Sequence, residues 1–98
     1  MRKKHEVIKG HNISAWDDGD LVVDRFTVVF LDDEDERGNV PYLAMSAYPF
    51  HPQGFGQHGE MKIWAVAYRG RGGAFKKRIP FASLPADCQK AVLQDLGE

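Results

Sequence analysis

Four histidines, one cysteine and a run of aromatics between prolines are the residues of this 98-residue chain with most chemistry to offer. His51 and His58 stand in PFHPQGFGQHGE (49–60), together with Phe50, Phe55, two prolines and three glycines. Metal binding is the first chemistry such a stretch suggests, with His5, His11, Glu60 or Cys88 completing a tetrahedron. Structural zinc sites are built on paired short spacings such as Cys-x2-Cys or His-x3-His, and none occurs. No metal or other cofactor is expected. General-base catalysis by His51 or His58, with Glu60 behind it, is the second chemistry. It lacks a second reactive group. Ser14, Ser46 and Ser83 have no nucleophile-elbow glycines around them, and Cys88 falls on an apolar helical stripe, where it reads as a small core residue. No catalytic residue is assigned, and the chain is read as a non-enzyme.

Nucleic-acid binding is the third chemistry. RGRGG (69–73), beside Tyr68, resembles an arginine–glycine segment, and basic groups on a sheet with exposed aromatics make a binding platform. Its contacts would be Arg69, Arg71, Lys76, Lys77 and Arg78. Against it stand the single short copy and a net charge of −1, where nucleic-acid modules start from a basic domain. The charge is nonetheless segregated. Residues 17–36 carry nine acids against Arg25 alone, and residues 60–78 carry six bases against Glu60 alone. The two blocks either form a dipole that steers partners or face each other across a sheet and cancel.

Protein recognition remains. Phe50 and Phe55, held by Pro49 and Pro52, offer semi-rigid aromatic anchors, with Gln53 and Gln57 as hydrogen-bonding neighbours. The partner-binding set is therefore Phe50, His51, Gln53, Phe55, Gln57 and His58, with Arg69 and Arg71 supplying charge-assisted hydrogen bonds. The structural alternative gives the glycines positive φ and makes the phenylalanines plugs under the open end of the sheet. The bonds before Pro49 and Pro52 are open to either isomer.

These residues need elements to hold them. LVVDRFTVVFL (21–31) alternates as a strand, DDEDERGN (32–39) reads as a hairpin connection, and VPYLAMSAY (40–48) as the return strand with Pro41 near its start. MKIWAVAY (61–68) and FKKRIPF (75–81) read as third and fourth strands around the turn RGRGGA (69–74). The end of the chain is a helix, with Ser83 or Leu84 at the cap, Pro85 in the first turn and Gly97 after the end. Its apolar stripe is Leu84, Cys88, Ala91, Val92 and Leu96. The fold class is α+β, an antiparallel sheet of about four strands packed by one C-terminal helix. Residues 1–98 form a single domain, with 1–16 an accessory segment in which 5–16 could add a short strand. A lone cysteine excludes an intramolecular disulfide. MRKKHEVIKG has no apolar h-region, and no run approaches the roughly 20 apolar residues of a membrane helix. The expectation is a soluble protein of the bacterial cytoplasm, its oligomeric state open.

DRFTVVF (24–30), YLAMSAYPFHPQGFGQHGE (42–60) and FKKRIPFASLPADCQKAVLQDL (75–96) together resemble a group of small bacterial and phage or prophage proteins. Members share a strand opening on Asp-Arg and an aromatic, then a Ser-x-x-Pro-Gln-Gly-like loop. A Lys-Arg-Ile/Val strand then leads to a Leu-Pro-capped helix. The resemblance spans residues 21–96, and Pro52-Gln53-Gly54-Phe55 is its most specific part. The group brings no activity and no catalytic residues. What it implies is context: a phage-type accessory protein that binds a host protein or protein–nucleic-acid complex, such as an inhibitor of a host defence system like CRISPR. The chain departs from the group in its acidic hairpin and in MKIWAVAYRGRGG (61–73). The acids 32–36 suit mimicry of a phosphate backbone or, more plainly, a solvated hairpin tip.

Overall fold

The computed structural model describes residues 6–17, 19, 25–52, 54, 56–64 and 77–97. Its first element corrects the sequence reading. Residues 6–17 are no accessory strand: they hold β1 (Glu6–Ile8) and β2 (His11–Asp17), and β2 is an interior strand of the sheet that pairs with three others. The turn between them is Lys9-Gly10, both at positive φ (53° and 83°), the two-residue geometry whose twist matches an antiparallel hairpin. Lysine in place of the usual Asn or Asp hides that turn from sequence reasoning.

Next come β3 (Phe26–Phe30), β4 (Asn39–Met45), β5 (Gly56–Lys62), β6 (Lys77–Ile79) and helix α1 (Ala86–Asp95). The sheet therefore has six strands where four were expected. All pairings among the described residues are antiparallel. Strand order is β1-β2-β3-β4-β5, and β6 joins the β1 flank of β2, β1 taking residues 11–13 and β6 residues 15–17. The sequence-derived strand 61–68 is overturned at its start: β5 begins at Gly56, inside the expected loop, and Ile63 and Trp64 are already helical. Of the strand expected over 75–81, residues 77–79 form β6 and Phe81–Ser83 is a 3₁₀ turn; 69–76 and the turn assigned there lie outside the described residues. The helix N-cap is Pro85, not Ser83 or Leu84. Pro41 lies one residue beyond the last β3–β4 pair, where its missing N–H costs that ladder nothing.

All five β3 residues are buried because both sheet faces are apolar there. Ile13, Ala15, Phe26, Val28, Phe30, Leu43 and Met45 form one face, packed on Phe81, Leu84, Cys88 and Val92. Trp16, Val29 and Val40 form a second cluster on the other face, with Leu31, Tyr42 and Met61. Two contacts lash the helical layer to the sheet: the Phe81 N–H donates to Glu6 Oε1 (2.7 Å), and His58 Nε2 lies 2.6 Å from Asp95 Oδ2. No helix among the described residues is long and apolar enough to cross a membrane.

Candidate functional site

Register decides what lies where. Gly56, Met45, Phe26, Asp17 and Lys77 form one transverse row across five strands. The loop after β4 and the start of β6 therefore share one end of the sheet. The acidic tip 32–36 lies at the other end, beyond Phe30 and ahead of Asn39. Of the described charges, Asp17 lies opposite Lys77 at one end of the sheet and Lys62 acts on Asp35 at the other. Each end is locally mixed: Arg25 pairs with Asp17 (3.1 Å) at one, and Lys62 Nζ donates to the Arg37 carbonyl (2.8 Å) at the other. Two of the tip acids are structural. Asp32 accepts the Asn12 backbone N–H (2.9 Å) and side-chain amide (2.7 Å), while Asp35 accepts the N–H groups of Asn39 (2.9 Å) and Arg37 (2.8 Å).

The loop that follows β4 is folded by its own backbone. The His51 N–H donates to the Tyr48 carbonyl (3.1 Å) and the Gly54 N–H to the His51 carbonyl (2.7 Å). Gly54 is required by space: a Cβ there would sit 1.8 Å from the Tyr48 carbonyl oxygen. Both X–Pro bonds, before Pro49 and Pro52, are trans. From below, Cys88 Sγ donates to the Ser46 carbonyl (3.2 Å), so the buried thiol anchors the loop's entry to α1. Burial pushes that thiol up to about 11, with the Asp87 charge adding to the shift, which keeps it protonated and poorly nucleophilic at neutral pH.

Tied down in this way, the loop encloses an open cleft of about 480 Å³ lined by Ser46, Tyr48, His51 and Gly54. Tyr48 lines it and Phe50 is displayed on the same loop. Tyr48 is 67% exposed and Phe50 49% exposed, and the Lys90 ammonium of α1 lies 5.4 Å from the Phe50 ring centroid. Phe50 is therefore a displayed ring and no plug.

Of the sequence-derived partner set, His51 lines this cleft and Phe50, its chain neighbour, is exposed beside it. Gln57 and His58 are separated by strand alternation: His58 lies opposite Leu43 on the helix side and serves Asp95, while Gln57 lies opposite Ala44 on the other face. Gln53, Phe55, Arg69, Arg71 and Lys76 lie outside the described residues. Of the basic set, Lys77 lies opposite Asp17 and Arg78 opposite Trp16 on β6. Among the described residues no group of three or more His, Cys, Asp or Glu could hold a metal ion. Sequence reasoning missed Tyr48 and Lys90. The aromatic before Pro49 was a usable signal for Tyr48; Lys90 had none, since its place over Phe50 is set by the helix–loop packing. Compared with models of known families, with curated proteins and with solved structures, the chain matches none.

Proposed function

We propose that this protein works without catalysis, by binding a macromolecular partner through the 46–54 cleft and the aromatics of its loop. The observation that carries the reading is the display of Tyr48 and Phe50 on a loop already ordered by hydrogen bonds and by Cys88. Exposed aromatics on a stiff loop lose little conformational freedom on binding, which is how interface anchors act. His51 adds a donor or acceptor beside them, and Lys90 a cation. Resemblance to phage and prophage proteins makes a host protein the proposed partner, a component of a defence system such as CRISPR among the candidates. Non-enzymatic inhibition fits the exposed aromatic contact area of Tyr48 and Phe50.

A nucleic-acid reading is favoured by one observation: β6, with Lys77 and Arg78, reaches the same end of the sheet as the loop. Affinity retrieval from host lysate, split into nuclease-treated and untreated halves, separates the two. The protein reading expects one stoichiometric protein to survive nuclease and to be lost with Tyr48→Ala/Phe50→Ala. Retention that vanishes with nuclease, falls linearly in log salt and needs Arg78 would replace it. Retention indifferent to Tyr48 and Phe50 would overturn the site.

A further inference from the structure

The two edges of this sheet are built differently. On one side lie β1 and β6, each with three residues among those described, and Pro80 directly after β6. Short strands and proline are the usual protection of an edge against foreign pairing. On the other side lies β5, seven residues long, paired one-to-one with β4 and free of proline or bulge. Its inward edge is spent on β4, and its outer backbone edge makes no hydrogen bond among the described residues. Five of its seven residues are exposed and the other two half-buried.

We propose that a second copy of this chain pairs there, β5 against β5, antiparallel about a two-fold axis perpendicular to the sheet. Such an axis keeps each side chain on its own face. Residues can then pair only with residues of the same face, so the axis must fall at a residue rather than between two. Three centres are worth comparing over Gly56–Lys62. An axis on His58 leaves five paired positions and sets His58 against His58. One on Glu60 also leaves five and sets two carboxylates against each other. Centring on Gly59 uses all seven positions, with about six to eight new backbone hydrogen bonds. It places His58 of each copy opposite Glu60 of the other, Gln57 opposite Met61, and Lys62 opposite the bare Gly56. Gly59 itself presents no side chain at the axis. The strand is self-complementary in one register only. The result is one continuous sheet with both α1 helices on the same face.

The test is the molar mass of the full chain by light scattering over a concentration series. Wild type is expected to approach twice the chain mass. His58→Glu sets a new carboxylate against Glu60 of the other copy at two symmetric points, and is expected to weaken association about tenfold. Glu60→Lys alone, which sets an ammonium against His58, is expected to weaken it too. Mixing the two variants restores association, because the carboxylate introduced in one then meets the ammonium introduced in the other. Because His58→Glu also replaces the Asp95 contact of its own chain with two carboxylates, far-UV circular dichroism and a thermal melt establish that each variant is folded. Glu60→Lys, which leaves that contact intact, carries the charge test independently. Independently, mixing His58→Cys with Glu60→Cys under oxidation is expected to give the mixed disulfide in preference to either homodimer. The buried Cys88 stays out of that reaction. A monomer at every concentration overturns the proposal, and so do dimers indifferent to both charge variants. Open-ended assemblies overturn it as well, since a two-fold pairing closes.

Discussion

At Cys88 one side chain has two jobs: it fills the core beneath α1 and donates to the Ser46 carbonyl at the foot of the loop. Its raised pKa makes a signed statement about stability. The folded thiol binds its proton more tightly than the unfolded one, so its contribution is complete below 9.0 and lost as pH rises from there toward about 11. Melts at pH 7.5 and 10.5 are expected to differ by about 2 kcal/mol from this group, a difference that Cys88→Ser removes. Alkylation of the native thiol at pH 8 is expected to be slow, and fast in denaturant. Gly54 tests the loop separately. Gly54→Ala drives a methyl into the Tyr48 carbonyl, and is expected to cost about 1–3 kcal/mol and to abolish partner retention without unfolding the sheet. Full retention by Gly54→Ala would show that the loop's shape is immaterial to binding.

The β3–β4 connection is an element held by a carboxylate. Asp35 gathers the N–H groups of Asn39 and Arg37, and Gly38 closes the turn at a φ of 78°. Those bonds, first the one from Asn39, hold the Asp35 carboxyl below its ordinary 3.8. Because the folded value is the lower one, the stabilisation is present above 3.8 and disappears as pH falls below it. An NMR titration is expected to place Asp35 below 3.8. Asp35→Ala is expected to speed amide exchange at Arg37 and Asn39, leaving β2 amides protected. Equal acceleration throughout the sheet would mean that the turn is no separate unit. Asp32 belongs to the same element, since its carboxylate fastens the start of β2 to the tip. The acidic run is thus partly mortar, leaving Asp33, Glu34 and Glu36 as the solvated acids.

Across the whole molecule, one sheet carries two apolar clusters, and the helix covers only the larger. Val92 lies fully buried at the centre of that contact, so Val92→Ala is expected to cost about 1–3 kcal/mol in denaturant melts. Val7, half exposed on β1, is the control: Val7→Ser is expected to stay within about 0.5 kcal/mol. If the two cost the same, the helix is not packed on the sheet as described. The arrangement also separates tasks. The loop rim lies at one end of the sheet, the acidic tip at the other, and the β5 edge, which no described strand covers, along one side. Partner binding and self-pairing can therefore proceed on different surfaces.

Local signals carried much of this fold in the sequence alone. The alternation in β3, the glycine-closed acidic turn and the Leu84-Cys88-Ala91-Val92-Leu96 stripe act over a few residues, so the α+β class and the helix were legible. Phe50 and His51 were legible as exposed loop groups because Pro49 and Pro52 fix the backbone around them. Other features depend on distant partners. β2 is interior only because β3, β1 and β6 all pair with it, and Lys9-Gly10 gives no strong turn signal. β5 is a strand despite its glycines because β4 supplies a full ladder and Tyr42 occupies the space above Gly59, where a Cβ would lie 2.5 Å from the ring. His58 looked like a ligand beside His51, yet period-2 geometry turned it to the helix face and Asp95 claimed it. Propensity and turn chemistry are short-range and readable along the chain. Register is long-range, and it alone decided which side of the sheet each candidate residue would serve.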